Sequence, residues 1–316
     1  MNYERFAVGL NEKRREWLVG WLQEMLHKEF VLVQNVADGL GRLSFSTLAV
    51  PEVKPFLGPF FAWCSALPSG AYVELPIMLR IIAKFLIAQI QADRFRHECH
   101  APEESGPEEC FRADAKAEGD DVGVGGWECR GGTPPSQARW FAVKVTRTNC
   151  PWVFARGEPF RAIASLELLG TLLCWLAFGR DASPRGPGMS FSGSTDNKGN
   201  SHVIDRLLTT KFPLCAILME LSAQLARAGA SMTLDWIPRL QNTEADELSN
   251  GITTSFQAGD RVHLDVGNWD LPLLPDLIRC GSSLCEAWDE RRLGGARQQV
   301  APGECAQTPL PGPQDA

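Results

Sequence analysis

Four carboxylates in this chain stand where a folded sheet could gather them. Asp114 lies in a strand-like run, Glu167 in an apolar helical run, Asp196 at the end of a later strand-like run, and Asp246 in a short helical one. Acids crowded into one hollow repel and raise one another's pKa. A divalent cation resolves the conflict: Mg²⁺ takes oxygen ligands and keeps several waters, and two such ions about 4 Å apart can clamp the attacking and departing oxygens of an in-line phosphoryl displacement. The chemistry indicated is metal-dependent phosphodiester hydrolysis. With 38 Asp plus Glu in the chain, each acid taken singly reads more simply as a cap or a solvated charge. Asp246 alone, for instance, would be a first-turn acid stabilised by the helix dipole. Order and local context therefore decide.

The elements that must position these acids follow from periodicity. "CFRADAK", "DVGVGGWECRG" and "ARWFAVKVT" read as three short strands joined by Gly/Asp and Gly/Pro turns. "PFRAIASLELLGTLLCWLAFG" follows, with Ile163, Leu166, Leu169, Leu173 and Leu176 forming a helical apolar face. Then come a strand "GMSFSGSTD", helices over "NSHVIDRLLTT" and "FPLCAILMELSAQLARAG", a strand "SMTLDWIP" and a short helix at "NTEADELSNG". Three sequential strands predict a meander, and strands separated by helices predict parallel additions to it. The expected fold is α/β: a five-stranded mixed sheet with flanking helices, in which sites gather where strands end and helices begin.

Upstream, residues 1–97 read as mostly helical. "NEKRREWLVGWLQEMLHKEF" opens on an Asn that can cap a helix and sets Trp17, Leu18, Trp21, Leu22 and Met25 on one apolar stripe. A second helix is expected across "VADGLGRLSFSTLAV", before Pro51, and a third from about Pro76 to Gln91. On pattern alone this is a small helical packing domain. Residues 98–109 are acidic and broken by Pro and Gly, a linker. Residues 110–252 hold the sheet domain, and 253–316 form an extension whose last stretch, rich in Gly, Pro and Gln, reads as disordered.

Within that frame, "FRADAKAEGDDVGVGGWE", "ASLELLGTLLCW", "STDNKGNSHVIDRL" and "WIPRLQNTEADELSNG" together resemble the ribonuclease H domain of retroelement reverse transcriptases, closest to the tyrosine-recombinase (DIRS-like) and related groups. Asp114, Glu167, Asp196 and Asp246 fall in order on that family's four acidic positions. "LGRLSFSTLAVPEVKPFLGPFF" resembles the helical thumb or connection segment that follows the polymerase palm, and "FAVGLNEKRREWL" the last palm strand entering it. The resemblance spans about residues 5–280. Two departures stand out: there is no Tyr-x-Asp-Asp palm motif, and the loop His before the last acid is absent from "PRLQNTEAD", where Arg239 stands.

The resemblance implies a ribonuclease H-type hydrolase acting on the RNA strand of RNA–DNA hybrids, with two Mg²⁺ ions (Mn²⁺ as a substitute) on Asp114, Glu167, Asp196 and Asp246, and Asp114 placed to bridge them. The nucleic acid would meet Asn197, Lys198, Arg239 and Asn242. Asn197 reads equally as a helix cap, and Gly123, Gly125 and Gly126 as the hairpin turn or as points of close RNA approach. Trp127, Trp140, Trp175 and Trp236 read as core rather than stacking platforms. A noncatalytic retroelement-derived interaction module remains an alternative. So does an integrase or resolvase nuclease, whose last acid is a Glu, since Glu247 adjoins Asp246.

Composition bounds these readings. A formal net charge of -7 argues against nucleic-acid binding by whole-molecule electrostatics and leaves a local basic groove as the means. Ten cysteines without a C-x-x-C pair and a charged N-terminus predict a reducing, intracellular setting, cytoplasm or nucleus, without a secretory signal. "HECH", with His97, Cys99 and His100, has no second cluster at finger spacing and is disfavoured as a zinc site. Runs such as "LPIMLRIIAKFLIAQI" are cut by Arg80 and Lys84, so no membrane span is expected.

Overall fold

The computed structural model describes residues 7–92, 94, 96–98, 108–155, 157–179, 189–265 and 271–281. The first region contains β1 (Ala7–Gly9), α1 (Glu12–His27), β2 (Phe30–Leu32), α2 (Val33–Ser46), α3 (Gly58–Ser65), β3 (Tyr72–Glu74), α4 (Ile77–Gln91) and β4 (Arg96–Glu98). Asn11 caps α1 as expected, its side chain accepting from the Arg14 N–H at 2.9 Å. The expected stripe splits, however. Leu18, Leu22 and Met25 are buried, whereas Trp17 stacks on Trp21 with centroids 6.0 Å apart and keeps one face under the Arg42 guanidinium. The polar head that interrupts α4 is put to use: Arg80 donates to the carbonyls of Leu75, Leu26 and Lys28, pinning the end of α1. β4 pairs antiparallel with β1, so Glu98, expected at the start of a linker, is a strand residue. Of "HECH", His97 lies in β4, while Cys99 and His100 fall outside the described residues.

The second region carries β5 (Glu109–Glu118), β6 (Asp121–Glu128), β7 (Trp140–Val145), α5 (Ile163–Cys174), β8 (Met189–Thr195), α6 (Lys198–Arg206), α7 (Leu214–Ala228), β9 (Ala230–Trp236) and α8 (Thr243–Ser249). The sheet order is β7-β6-β5-β8-β9. β5, β6 and β7 form the antiparallel meander, and β8 and β9 add in parallel on the other side of β5. This is the five-stranded mixed sheet with flanking helices, preceded by a helical region, that the element order predicts, and it is the sheet that the ribonuclease H resemblance implies.

Helix α5 buries more than the one apolar face its spacing predicts. From Ser165 to Cys174 it is buried all round, between the sheet and α7, and it continues as a π-helical turn over Trp175–Gly179. The stretch Pro159–Gly179 is long and apolar enough, by length and composition, to cross a membrane, yet most of it is buried inside the protein, as a helix apolar on every side must be in a folded core. Along α7 lies the 3₁₀ turn Pro51–Leu57 of the helical region, held by the Ser222 hydroxyl donating to the Glu52 carbonyl at 2.7 Å. One contiguous apolar core thus runs through both regions.

Helix α8 covers the opposite face of the meander in a second cluster of Trp127, Trp140, Ala245, Leu248 and Phe256. The extension after residue 252 is therefore part of the fold at its start: Phe256 packs between the two indoles, and the Trp140 indole donates to the Gln257 carbonyl at 2.7 Å. Residues 271–281 also dock, with Leu273, Leu274 and Leu277 buried. The stretch expected to be disordered lies outside the described residues.

Candidate active site

The strand pairing opens the site. β8 pairs with β5 only from Glu109 to Arg112, where Arg112 faces Ser194, so two residues further along β5 Asp114 adjoins the gap left as β8 ends. Asp196 follows immediately after Thr195, the last residue of β8. Glu167 reaches the same gap from α5. One oxygen from each of Asp114, Glu167 and Asp196 lies within 4.8 Å of the other two. Sequence placed all three correctly at element level, and the fold brings them together.

Electrostatics inside the cluster are those of crowded, half-dry acids. Burial, and then the charges of Asp114 and Asp196, push Glu167 up to about 9. Burial is also the main cause lifting Asp114 to about 6, against the Ser249 hydroxyl, which donates to its Oδ2 at 2.5 Å and pulls the other way. Burial raises Asp196 as well, opposed by the Arg239 guanidinium. Asp196 Oδ1 is buried with no hydrogen-bond partner among the described residues. A buried carboxylate oxygen without a donor, on an acid that shares a hollow with two others, leaves an acceptor to be satisfied, and hard oxygen ligands of this kind suit a divalent cation. The residues present therefore fit a divalent ion.

The fourth acid stands apart. Asp246 is outside the close trio, although its charge acts on both Asp114 and Asp196. Its Oδ1 is held by Arg239, whose guanidinium donates to it in a short ion pair. The expected nucleic-acid contacts divide in the same way. Arg239 and Lys198 are exposed at the rim, Lys198 with its Nζ 5.8 Å from the Trp236 ring. Asn197 caps α6, accepting from the Asn200 N–H at 3.2 Å, so the helix is capped by Asn197 and Asp196 is left free of that duty. Asn242 corrects the expectation outright: it is wholly buried, its amide donating to the Ala113 carbonyl at 3.1 Å, and it anchors the approach to α8 rather than facing a ligand.

Two other expectations change. Gly123 and Gly125 are mid-strand, not in the hairpin turn, which is made at Gly119 with φ +56. They leave no Cβ where the backbone of α8 lies directly on β6: a Cβ on Gly125 would sit 2.5 Å from Ser249 N. Gly126 faces Cys174 and Phe141 instead. Trp236 is 48% exposed and not core, since β9 is the sheet edge; its indole donates to the Asp196 carbonyl at 3.0 Å. Ser249 and Thr195, whose hydroxyl meets Glu167 Oε2 at 3.3 Å, join Trp236 at the site, and neither is marked in the sequence reading. For Ser249 a signal existed, because it lies three residues after Asp246 on the same helix face.

No family model matches the chain, and no curated protein matches it. Among solved structures it is similar to ribonuclease H1 from the halophilic archaeon Halobacterium salinarum, at 15% identity and a TM-score of 0.30, over 46% of this chain and 97% of that one. It is also similar to the N-terminal ribonuclease H domain of a Mycobacterium tuberculosis protein, solved as a fusion with maltose-binding protein. That match has 18% identity and a TM-score of 0.30, over 45% of this chain and 91% of that one. The fold assignment stands on the strand order and pairing described above.

Proposed function

We propose that this chain is a metal-dependent endonuclease that hydrolyses the RNA strand of RNA–DNA hybrids, derived from a retroelement reverse transcriptase. The observation that carries the reading is the meeting of Asp114, Glu167 and Asp196 within 4.8 Å at the end of β8. Asp114, Glu167 and Asp196 would hold the divalent ions, Mg²⁺ or Mn²⁺, with Asp246 as the fourth ligand. Such ions would supply an activated water and charge neutralisation for a departing 3′ oxygen.

The protein's own groups prepare that site. Ser249 orients Asp114, Thr195 orients Glu167, and the Trp236 indole fixes the backbone of Asp196. Lys198 and Arg239 at the rim supply positive charge for phosphates that the acidic chain as a whole does not. Selection of RNA would come from contacts to the 2′-hydroxyl and from the shape of the hybrid.

The test is cleavage of an end-labelled hybrid with Mg²⁺, beside duplex DNA, using Asp196→Asn as control. Hybrid-specific, metal-dependent cleavage lost in the variant supports the reading. The Arg239–Asp246 ion pair favours a second reading, a noncatalytic nucleic-acid-binding module, because it occupies the fourth acid. Retained hybrid binding without cleavage at any Mg²⁺ or Mn²⁺ concentration would select that one.

A further inference from the structure

The arginine that stands before the last acid is placed to do more than touch a phosphate. Its turn, Arg239–Gln241, is fastened to β5 from two sides. Arg112 Nη1 donates to the Gln241 carbonyl at 2.7 Å, and the next residue, Asn242, is buried and bonded to Ala113. The backbone of Arg239 is thereby fixed at the rim, while its side chain stays 73% exposed. Its Nη2 donates to Asp246, which also accepts from Asn250 Nδ2 at 3.4 Å.

We propose that Arg239 is a displaceable internal counter-cation: it holds Asp246 apart from the Asp114, Glu167 and Asp196 cluster, and a second divalent ion binds only as it displaces that guanidinium. The inference rests on the metal-binding part of the function proposed above and concerns the order in which the site fills. Two geometric facts and one electrostatic one support it. The trio is complete without Asp246, so a first ion needs no rearrangement. Asp246 is within electrostatic reach of Asp114 and Asp196, so a second ion between them needs Asp246 released. The Arg239–Asp246 pair is largely exposed on the arginine side, and exposed ion pairs are weak enough to be exchanged for a dication. The guanidinium charge also opposes the upward shift of Asp114, Glu167 and Asp196, as a resident cation would. Arg239 is on this account a positioning residue acting through Asp246.

The experiment titrates the full chain with Mn²⁺ alone, free ion being followed by electron paramagnetic resonance and heats by calorimetry, for the wild type, Arg239→Ala, Arg239→Lys and Asp246→Asn. The wild type is expected to bind one ion tightly and a second more weakly. Arg239→Ala should tighten the second site about 5-fold and leave the first within about 2-fold. Arg239→Lys, which restores a cation, should return the wild-type isotherm, a rescue that a purely structural role would not produce. Asp246→Asn should lose the second site. An unchanged second site in Arg239→Ala, an equal change at both sites, or fewer than two ions in every form would overturn the proposal. A tightened second site without any hybrid cleavage sinks the ribonuclease reading and leaves the Arg239 assignment standing; cleavage with an unchanged second site does the reverse.

Discussion

The Ser249 hydroxyl lies 2.5 Å from Asp114 Oδ2 and 2.9 Å from the Asp246 carbonyl, so the end of α8 is tied to the middle of β5 through one acid of the cluster. A hydroxyl carries one proton. It donates to Asp114 when that carboxylate is ionised, and is free to donate to the Asp246 carbonyl once Asp114 carries its own proton. Ser249 is thus a switchable support for the ionised state.

Ser249→Ala removes a hydrogen bond to a charged group, worth roughly 1.5 kcal/mol or more. Asp114, already raised to about 6, should rise further. The expected outcome is a loss of about tenfold in Mn²⁺ affinity near pH 6.5, closing by pH 9, where Asp114 is ionised with or without the hydroxyl. Parallel Mn²⁺ titrations of the two proteins at both pH values check this.

The contact between α8 and β6 gives a second expectation. A Cβ on Gly125 would lie 2.5 Å from both Leu248 Cβ and Ser249 N, atoms of a packed helix that cannot step aside singly. Gly125→Ala should therefore cost about 1–3 kcal/mol, roughly 2–4 °C in Tm for each kcal/mol, and speed amide exchange across α8. Gly20→Ala is the contrast: it lies inside α1 with nothing within 4 Å of its added Cβ, and should gain up to about 1 kcal/mol. Thermal melts of both variants decide the matter.

The same glycines show how far the sequence could be read. Element order was legible because strand and helix periods differ, and that order alone set the meander and its parallel additions. The trio was legible because Asp114, Glu167 and Asp196 stand at element positions that such a sheet brings to one end. What escaped was whatever depends on which face meets which neighbour. Gly123 and Gly125 look like turn residues, since nothing local announces a helix lying on a strand. Asn242 looks like a polar loop residue until the turn before α8 closes over β5. Trp236 looks like core because indoles usually are, and only the sheet order reveals that β9 is an edge. The pairing of Asp246 with Arg239 depends on a turn conformation that spacing does not encode.

Burial of Glu167 predicts an unusual pH dependence. Its ordinary value is 4.5 and the fold lifts it to about 9, so the folded state holds the proton more tightly than the unfolded chain does. Stability from this group is full below about pH 4.5 and is lost progressively as pH rises toward 9. Asp114 adds a smaller loss between 3.8 and about 6. In EDTA, Tm should fall from pH 6 to pH 9 in the wild type, and fall less in Glu167→Gln. Added Mg²⁺ binds the ionised acids and should raise the wild-type Tm more at pH 8.5 than at pH 6, while doing little for Glu167→Gln. Calorimetry in buffers of different ionisation enthalpy should show protons released on metal binding.

Away from the site, one buried carboxylate holds the last described segment. Glu220 on α7 is fully buried; its Oε2 accepts from the N–H groups of Leu273 and Leu274, both at 2.9 Å, and its Oε1 from Gln224 Nε2 at 2.7 Å. Those two N–H groups open the helical turns that bury Leu277 against the core, and a carboxylate is the natural partner at a helix start. Glu220→Ala removes the acceptor from two buried donors, about 1–3 kcal/mol for each, so a total loss of several kcal/mol is expected. The amides of Leu273, Leu274 and Leu277 should then exchange at rates set by local opening. Glu220→Gln keeps an acceptor oxygen and gives up the charge, and should lose about half as much. Equal Tm values for Glu220→Ala and the wild type would show that residues 271–281 contribute nothing to the stability of α7.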